Sequence, residues 1–163
     1  MSGQFYCPQT FNFVNTMNDF SMDIQLRWSD LDPNFHLRHS VYYDWAALCR
    51  IEFLYQHQLN AATMQRFHIG PILFREECIF KREVRYGDTI RVDLKLVKSR
   101  KDFSRWSIQH NIWKNGDTLS AVVNVDGAWI NTKERKLGIP PREVETVFNE
   151  MPREAGFLWT DQG

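Results

Sequence analysis

The stretch Arg27-Trp28-Ser29-Asp30-Leu31-Asp32-Pro33-Asn34-Phe35-His36-Leu37-Arg38-His39-Ser40-Val41-Tyr42 decides the reading of this chain. A strand-like run breaks there into an acidic turn and then enters a long aromatic-rich helix. A carboxylate in a turn that feeds a helix N-terminus lies beside free backbone N–H groups and the positive end of the helix dipole. A base and oxyanion donors then converge on one carbonyl. Asp, Asn and Pro are also ordinary turn residues, so Asp30 and Asp32 as mere caps is the competing interpretation.

Outward from the turn, residues 22–28 alternate, with Ile24, Leu26 and Trp28 against Asp23, Gln25 and Arg27, which is the period of a half-buried strand. From Ser40 to about Asn60 there is no Gly or Pro, and Val41, Trp45, Leu48, Ile51, Leu54 and Tyr55 recur at helical spacing. Ala46, Ala47 and Cys49 fill much of the remaining circumference, so this helix is expected to be largely buried. Residues 72–84, 89–97, 104–113 and 118–130 read as long strands. Tyr86-Gly87-Asp88 and Asn115-Gly116-Asp117 mark tight turns between them, which predicts consecutive antiparallel neighbours. A short surface helix is expected from Pro140 to about Met151.

One buried helix among about five antiparallel strands can be covered only if the sheet wraps it, an α+β arrangement. The chain divides into an N-terminal arm (1–20), one domain (21–152) and a C-terminal tail (153–163). At 163 residues that single domain buries a real core. The 20 basic and 20 acidic residues cancel, which argues against a nucleic-acid footprint or a polybasic membrane surface. Cys7, Cys49 and Cys78 are odd in number and widely spaced, so neither a disulfide framework nor a zinc site is suggested. No apolar run reaches the ~18 residues of a membrane span, and the opening Met1-Ser2-Gly3-Gln4 lacks a signal-peptide layout. A cytoplasmic, reducing location is the expectation.

The ordered set Asp30-Leu31-Asp32, His36, Tyr42 and Arg50, followed by Tyr86-Gly87-Asp88-Thr89-Ile90 and Lys136-Leu137-Gly138-Ile139-Pro140, resembles the hotdog-fold acyl-CoA thioesterases, in particular the 4-hydroxybenzoyl-CoA thioesterase-like branch. The resemblance spans about residues 22–145. It implies a hotdog fold, with a long central helix wrapped by an antiparallel sheet of about five strands, and hydrolysis of an acyl-CoA or aryl-CoA thioester. It assigns Asp32 as base or nucleophile, and a backbone N–H near His39 as the donor that polarises the carbonyl.

His36 is then a candidate for orienting Asp32 or a water. Tyr42 and Trp45, with Tyr43 near them, are candidates to line the acyl pocket, and Asp30, on the same face as Asp32, is a candidate substrate contact or only the turn's hydrogen-bond acceptor. Arg100 and Lys101, in the basic cluster with Lys98 and Arg105, are candidates to pair with coenzyme A phosphates across a subunit boundary. A homodimer or homotetramer, no cofactor and no metal complete the expectation, with coenzyme A entering as part of the substrate. His36 and His39 beside two aspartates raise a metal centre only weakly, since no further ligand cluster accompanies them.

Two alternatives stand beside hydrolysis. Phe35, Arg38 and Ala47, which depart from the family pattern, support a non-catalytic acyl-thioester binding protein. An enoyl-CoA hydratase would use Asp32 and His36 as an acid/base pair.

Overall fold

The computed structural model describes residues 13–16 and 19–160. Cys7, most of the N-terminal arm and the last three residues of the tail lie outside the described residues. The elements are β1 (Phe13–Thr16), β2 (Asp19–Ile24), a 3-10 turn (Trp28–Asp30), α1 (His39–Gln56), α2 (Ala61–Phe67), β3 (Ile69–Phe80), β4 (Ile90–Arg100), β5 (Arg105–Lys114), β6 (Thr118–Asn131), β7 (Lys136–Leu137), α3 (Arg142–Glu150) and β8 (Arg153–Thr160). The sheet runs β1-β2-β4-β5-β6-β3, with β7 added to β6 and β8 to β4. It curls around α1, giving the α+β hotdog arrangement that the sequence resemblance implies.

Period-two patterning explains the wrap. Along β4, Ile90, Val92, Leu94 and Leu96 are buried while Arg91 and Lys98 stay in solvent. On α1 the buried face is Val41, Tyr42, Trp45, Ala46, Cys49, Phe53 and Leu54. Phe20 on β2 meets Phe53 edge to face at 5.1 Å, tying the helix to the sheet. Ile51 and Tyr55, expected inside, are more than half exposed in the single chain. They lie on the flank of α1 that this sheet leaves uncovered.

Several boundaries differ from the sequence expectation. The first core strand ends at Ile24, not Trp28, because Asp30 accepts hydrogen bonds from the Arg27 backbone N–H (2.9 Å) and guanidinium (2.8 Å) and draws the chain into a 3-10 turn. Trp28 is left 74% exposed. The long helix stops at Gln56, and Asn60 caps a separate α2 by accepting the Thr63 N–H at 3.0 Å.

The Tyr86-Gly87-Asp88 turn does not join sheet neighbours. β3 pairs with β6, while β4 lies between β2 and β5, so residues 81–89 cross over rather than form a hairpin. Asn115 and Gly116, both at positive φ, do close the β5–β6 hairpin as expected. Two segments read as arm and tail are strands: residues 13–16 pair antiparallel with β2, and residues 153–160 run parallel to β4. β8 joins β4 from Leu96 onward, the part of that edge β2 leaves free.

Candidate active site

The crossover 81–89 matters because the acidic turn docks on it. The Leu37 N–H donates to the Val84 carbonyl at 2.9 Å, and His36 bridges Arg85. Lys81 and Arg82 are pinned in turn, since both of their N–H groups reach the Ser120 carbonyl, at 2.8 and 2.9 Å. Between the turn, the start of α1 and the crossover lies a cleft of about 400 Å³ that Asp32, His36, His39, Tyr42, Phe80, Lys81, Arg82 and Glu83 line with Leu37.

Asp32 is half-buried at one wall. Its Oδ1 accepts the N–H groups of Asn34 (2.8 Å) and His36 (3.0 Å), while Oδ2 has no partner among the described residues. One oxygen thus fixes the carboxylate and the other faces no hydrogen-bond donor among the described residues. His39 and Ser40 open α1, whose N-cap Arg38 makes no side-chain cap. Their N–H groups have no acceptor among the described residues, which leaves two donors at the positive end of the helix dipole.

His36 holds Asp32 through its backbone only; its imidazole Nε2 lies 3.2 Å from Glu83 Oε2. Tyr42 forms the floor, buried and edge to face with Phe80 at 5.1 Å. Burial pushes its phenol above the ordinary value, against the opposing pull of hydrogen bonding near Ser120.

Four other expected site residues do not reach this cleft. Asp30 is 1% exposed and engaged with Arg27. Burial alone would raise its carboxyl, but hydrogen bonds from the Arg27 side chain and backbone, and the Arg27 charge, outweigh that and hold it below the usual carboxylate range. Trp45 lies about 120° around the helix from His39. It lines a different, larger pocket of about 890 Å³, with Asp44, Tyr86 and Trp113. Arg100 ends β4 and Lys101 follows it, on the order of 30 Å along the strand from Ile90 at the crossover end. Within one chain they belong to another region.

Phe80, Lys81, Arg82 and Glu83 were not singled out from sequence. The residues read as one strand through Val84, and only the docking of His36 and Leu37 on residues 84 and 85 brings them to Asp32. Among the described residues no group of three or more His, Cys, Asp or Glu side chains is placed to hold a metal ion.

A second polar cluster lies under α1. Arg50 donates from Nη2 to Glu76 Oε1 (3.1 Å), and its Nη1 lies 3.3 Å from His110 Nε2. A guanidinium only donates, so His110 Nε2 must be the acceptor and the ring proton sits on Nδ1, donating to the Asp93 carbonyl at 2.8 Å. Burial, with the Arg50 charge beside it, pushes the His110 imidazole down to about 3 despite that hydrogen bond, so it is neutral at pH 7.

The family model of the thioesterase-like superfamily matches residues 26–152. The chain belongs to that superfamily. Solved structures share the fold of this thioesterase-like chain at low identity. A hypothetical protein of Staphylococcus aureus in complex with CoA is 18% identical with a TM-score of 0.78, covering 87% of this chain and 91% of its own. A 1,4-dihydroxy-2-naphthoyl-CoA thioesterase from Synechocystis is 16% identical (TM-score 0.72; 81% and 96% covered). A gentisyl-coenzyme A thioesterase is 17% identical (TM-score 0.68; 78% and 98% covered). No curated protein matches the sequence.

Proposed function

We propose that this thioesterase-like protein hydrolyses an acyl-CoA or aryl-CoA thioester, with Asp32 as base or nucleophile. The observation that carries the reading is the half-engaged carboxylate of Asp32 in the same cleft as His39, the first residue of α1, whose N–H has no acceptor among the described residues. Thioester hydrolysis needs both an electron pair delivered to the carbonyl carbon and donors for the oxyanion that forms.

As a base, Oδ2 takes a proton from water as the water oxygen bonds to the carbonyl carbon; the tetrahedral oxyanion, held by the His39 and Ser40 N–H groups, then collapses and expels CoA thiolate. As a nucleophile, Oδ2 itself forms the new bond, the thiolate leaves, and water cleaves the mixed anhydride. Both routes end in free acid and CoA, and neither calls on a metal or a further cofactor.

The same reading gives Lys81 and Arg82, exposed at the cleft and paired with no carboxylate among the described residues, the phosphates of coenzyme A. Arg100 and Lys101 would join them only across a subunit boundary. A homodimer or homotetramer fits the exposed Leu73, Phe74, Ile79 and Phe80 on β3, an edge strand with one unpaired side. A cytoplasmic location belongs to the same proposal and accords with Cys49 and Cys78 being free thiols.

Release of free thiol from a panel of acyl-CoA and aryl-CoA substrates tests the proposal. Turnover on at least one thioester is the expected result. Loss of enoyl absorbance without thiol release would instead indicate a hydratase, and stoichiometric binding without turnover a binding protein.

A further inference from the structure

Beyond the Ile24–Ile90 pair the Arg27–Asp30 turn carries the chain off the sheet, and the gap left beside α1 is the cleft of about 890 Å³. Leu26, Trp45, Leu48 and Trp113 give it apolar walls, while Tyr86 and Asp44 line it as exposed residues. The Trp113 indole N–H is engaged by Asp93 Oδ2 at 3.0 Å, so what this ring offers the cleft is π surface rather than a donor. The cleft shares no lining residue with the Asp32 site: residues 81–83 of the crossover line that one, and residues 86–89 this one.

Its ionic groups decide what can enter. Arg91 lies 3.3 Å from Asp23, Asp88 lies 3.4 Å from Lys114, and Arg27 lies 2.8 Å from the buried Asp30. Asp44 alone of the lining carboxylates has no ion pair or hydrogen bond among the described residues. Arg27 feels the Asp44 charge through space but is already held by Asp30. Every cation of the cleft is thus matched, and one carboxylate is not. That surplus charge turns away anions, the coenzyme A phosphates among them. A neutral ligand fills the walls but leaves Asp44 without a counter-charge. An organic cation gains both the carboxylate and the aromatic surface.

We propose that this cleft binds a monovalent organic cation, an ammonium group on an apolar or aromatic body, with Asp44 countering the charge and Trp45, Tyr86 and Trp113 supplying ring surface. It is a site apart from Asp32, and its occupancy does not depend on thioester hydrolysis.

The test keeps one phenyl body and changes its end group. 2-Phenylethylammonium, 2-phenylethanol and phenylacetate are titrated into ¹⁵N-labelled protein at low ionic strength, following the amides of Gly87 and Gly116, which both line the cleft. The ammonium is expected to bind ~10-fold tighter than the alcohol, and phenylacetate more weakly than either. Asp44→Asn, at an exposed position, is expected to cut that preference to ~3-fold or less, and Tyr86→Leu to narrow it as well. Glu134→Gln, a charge change at an exposed residue outside the cleft, should leave it unchanged. Equal affinity for the ammonium and the alcohol, an Asp44→Asn protein that keeps the full preference, shifts at Asp32 and Lys81 in place of Gly87 and Gly116, or no binding of the ammonium would overturn the proposal.

Discussion

Asp32 and His36 close one turn from both sides: Asp32 Oδ1 accepts the His36 N–H at 3.0 Å, and the Asp32 N–H donates to the His36 carbonyl at 2.8 Å. The imidazole takes no part in this and turns to Glu83. His36→Ala keeps the backbone bonds, so it is expected to leave the fold intact and to lower kcat by less than ~10-fold, below the usual general-base contribution. Steady-state kinetics decide this, and a loss of ~10²-fold or more would give the imidazole a chemical role.

Asp30 is expected to matter for stability. Asp30→Ala leaves the Arg27 N–H without its acceptor and empties a buried position, a change of about 1–3 kcal/mol. Because the folded pKa is depressed, this contribution is present above the ordinary carboxylate range and is lost as pH falls through the lowered value. Thermal melts of wild type and variant at pH 7 should differ by several degrees and converge in acid.

The buried neutral His110 gives a second pH dependence. The unfolded chain binds a proton near pH 6.5 that the folded chain refuses until about 3, so stability falls as pH drops through that window. The slope is at most about 1.4 kcal/mol per pH unit. Burial raises the Asp93 carboxyl, which works in the opposite sense and offsets part of the loss in acid. Urea denaturation between pH 7 and 5 should show the slope in wild type and its loss in His110→Gln.

Lys81 and Arg82 are assigned to binding alone. The double change Lys81→Ala, Arg82→Ala is expected to raise KM for acyl-CoA by ~10-fold, about 1.4 kcal/mol, with kcat retained. The matching pantetheine thioester, which lacks phosphates, should show no such change, and added salt should shrink the difference in wild type.

Local periodicity carried most of the fold. The alternation of β4 and the unbroken run of α1 are short-range signals, and Asp32, His36, His39 and Tyr42 fall together because they are neighbours in sequence around one helix start. The Arg27–Asp30 pairing was equally local, and its i,i+3 spacing is the one missed signal that the turn itself carried. Asn60, where the long helix was read to end, likewise marked the cap of a second short helix that the periodicity did not show.

The rest depended on distant partners. The 81–84 segment looks like the end of a strand until the Val84 carbonyl meets the Leu37 N–H. β8 carries no clear alternation, with a burial pattern that is mostly exposed, and it becomes a strand through the free edge of β4. A cavity under α1 that Trp106 and Trp129 line arises from four strands and two helices, a juxtaposition no window of sequence contains.

The most direct measurement is thiol release by Asp32→Asn and Asp32→Ala beside wild type, on whichever thioester wild type turns over, with folding confirmed by circular dichroism and melting. Asn keeps an Oδ1 acceptor for the turn and removes the charge, so the two variants separate chemistry from scaffolding. The account predicts that both lose at least ~10²-fold in kcat. Asp32→Asn turning over within ~10-fold of wild type would contradict it and move the reacting carboxylate elsewhere.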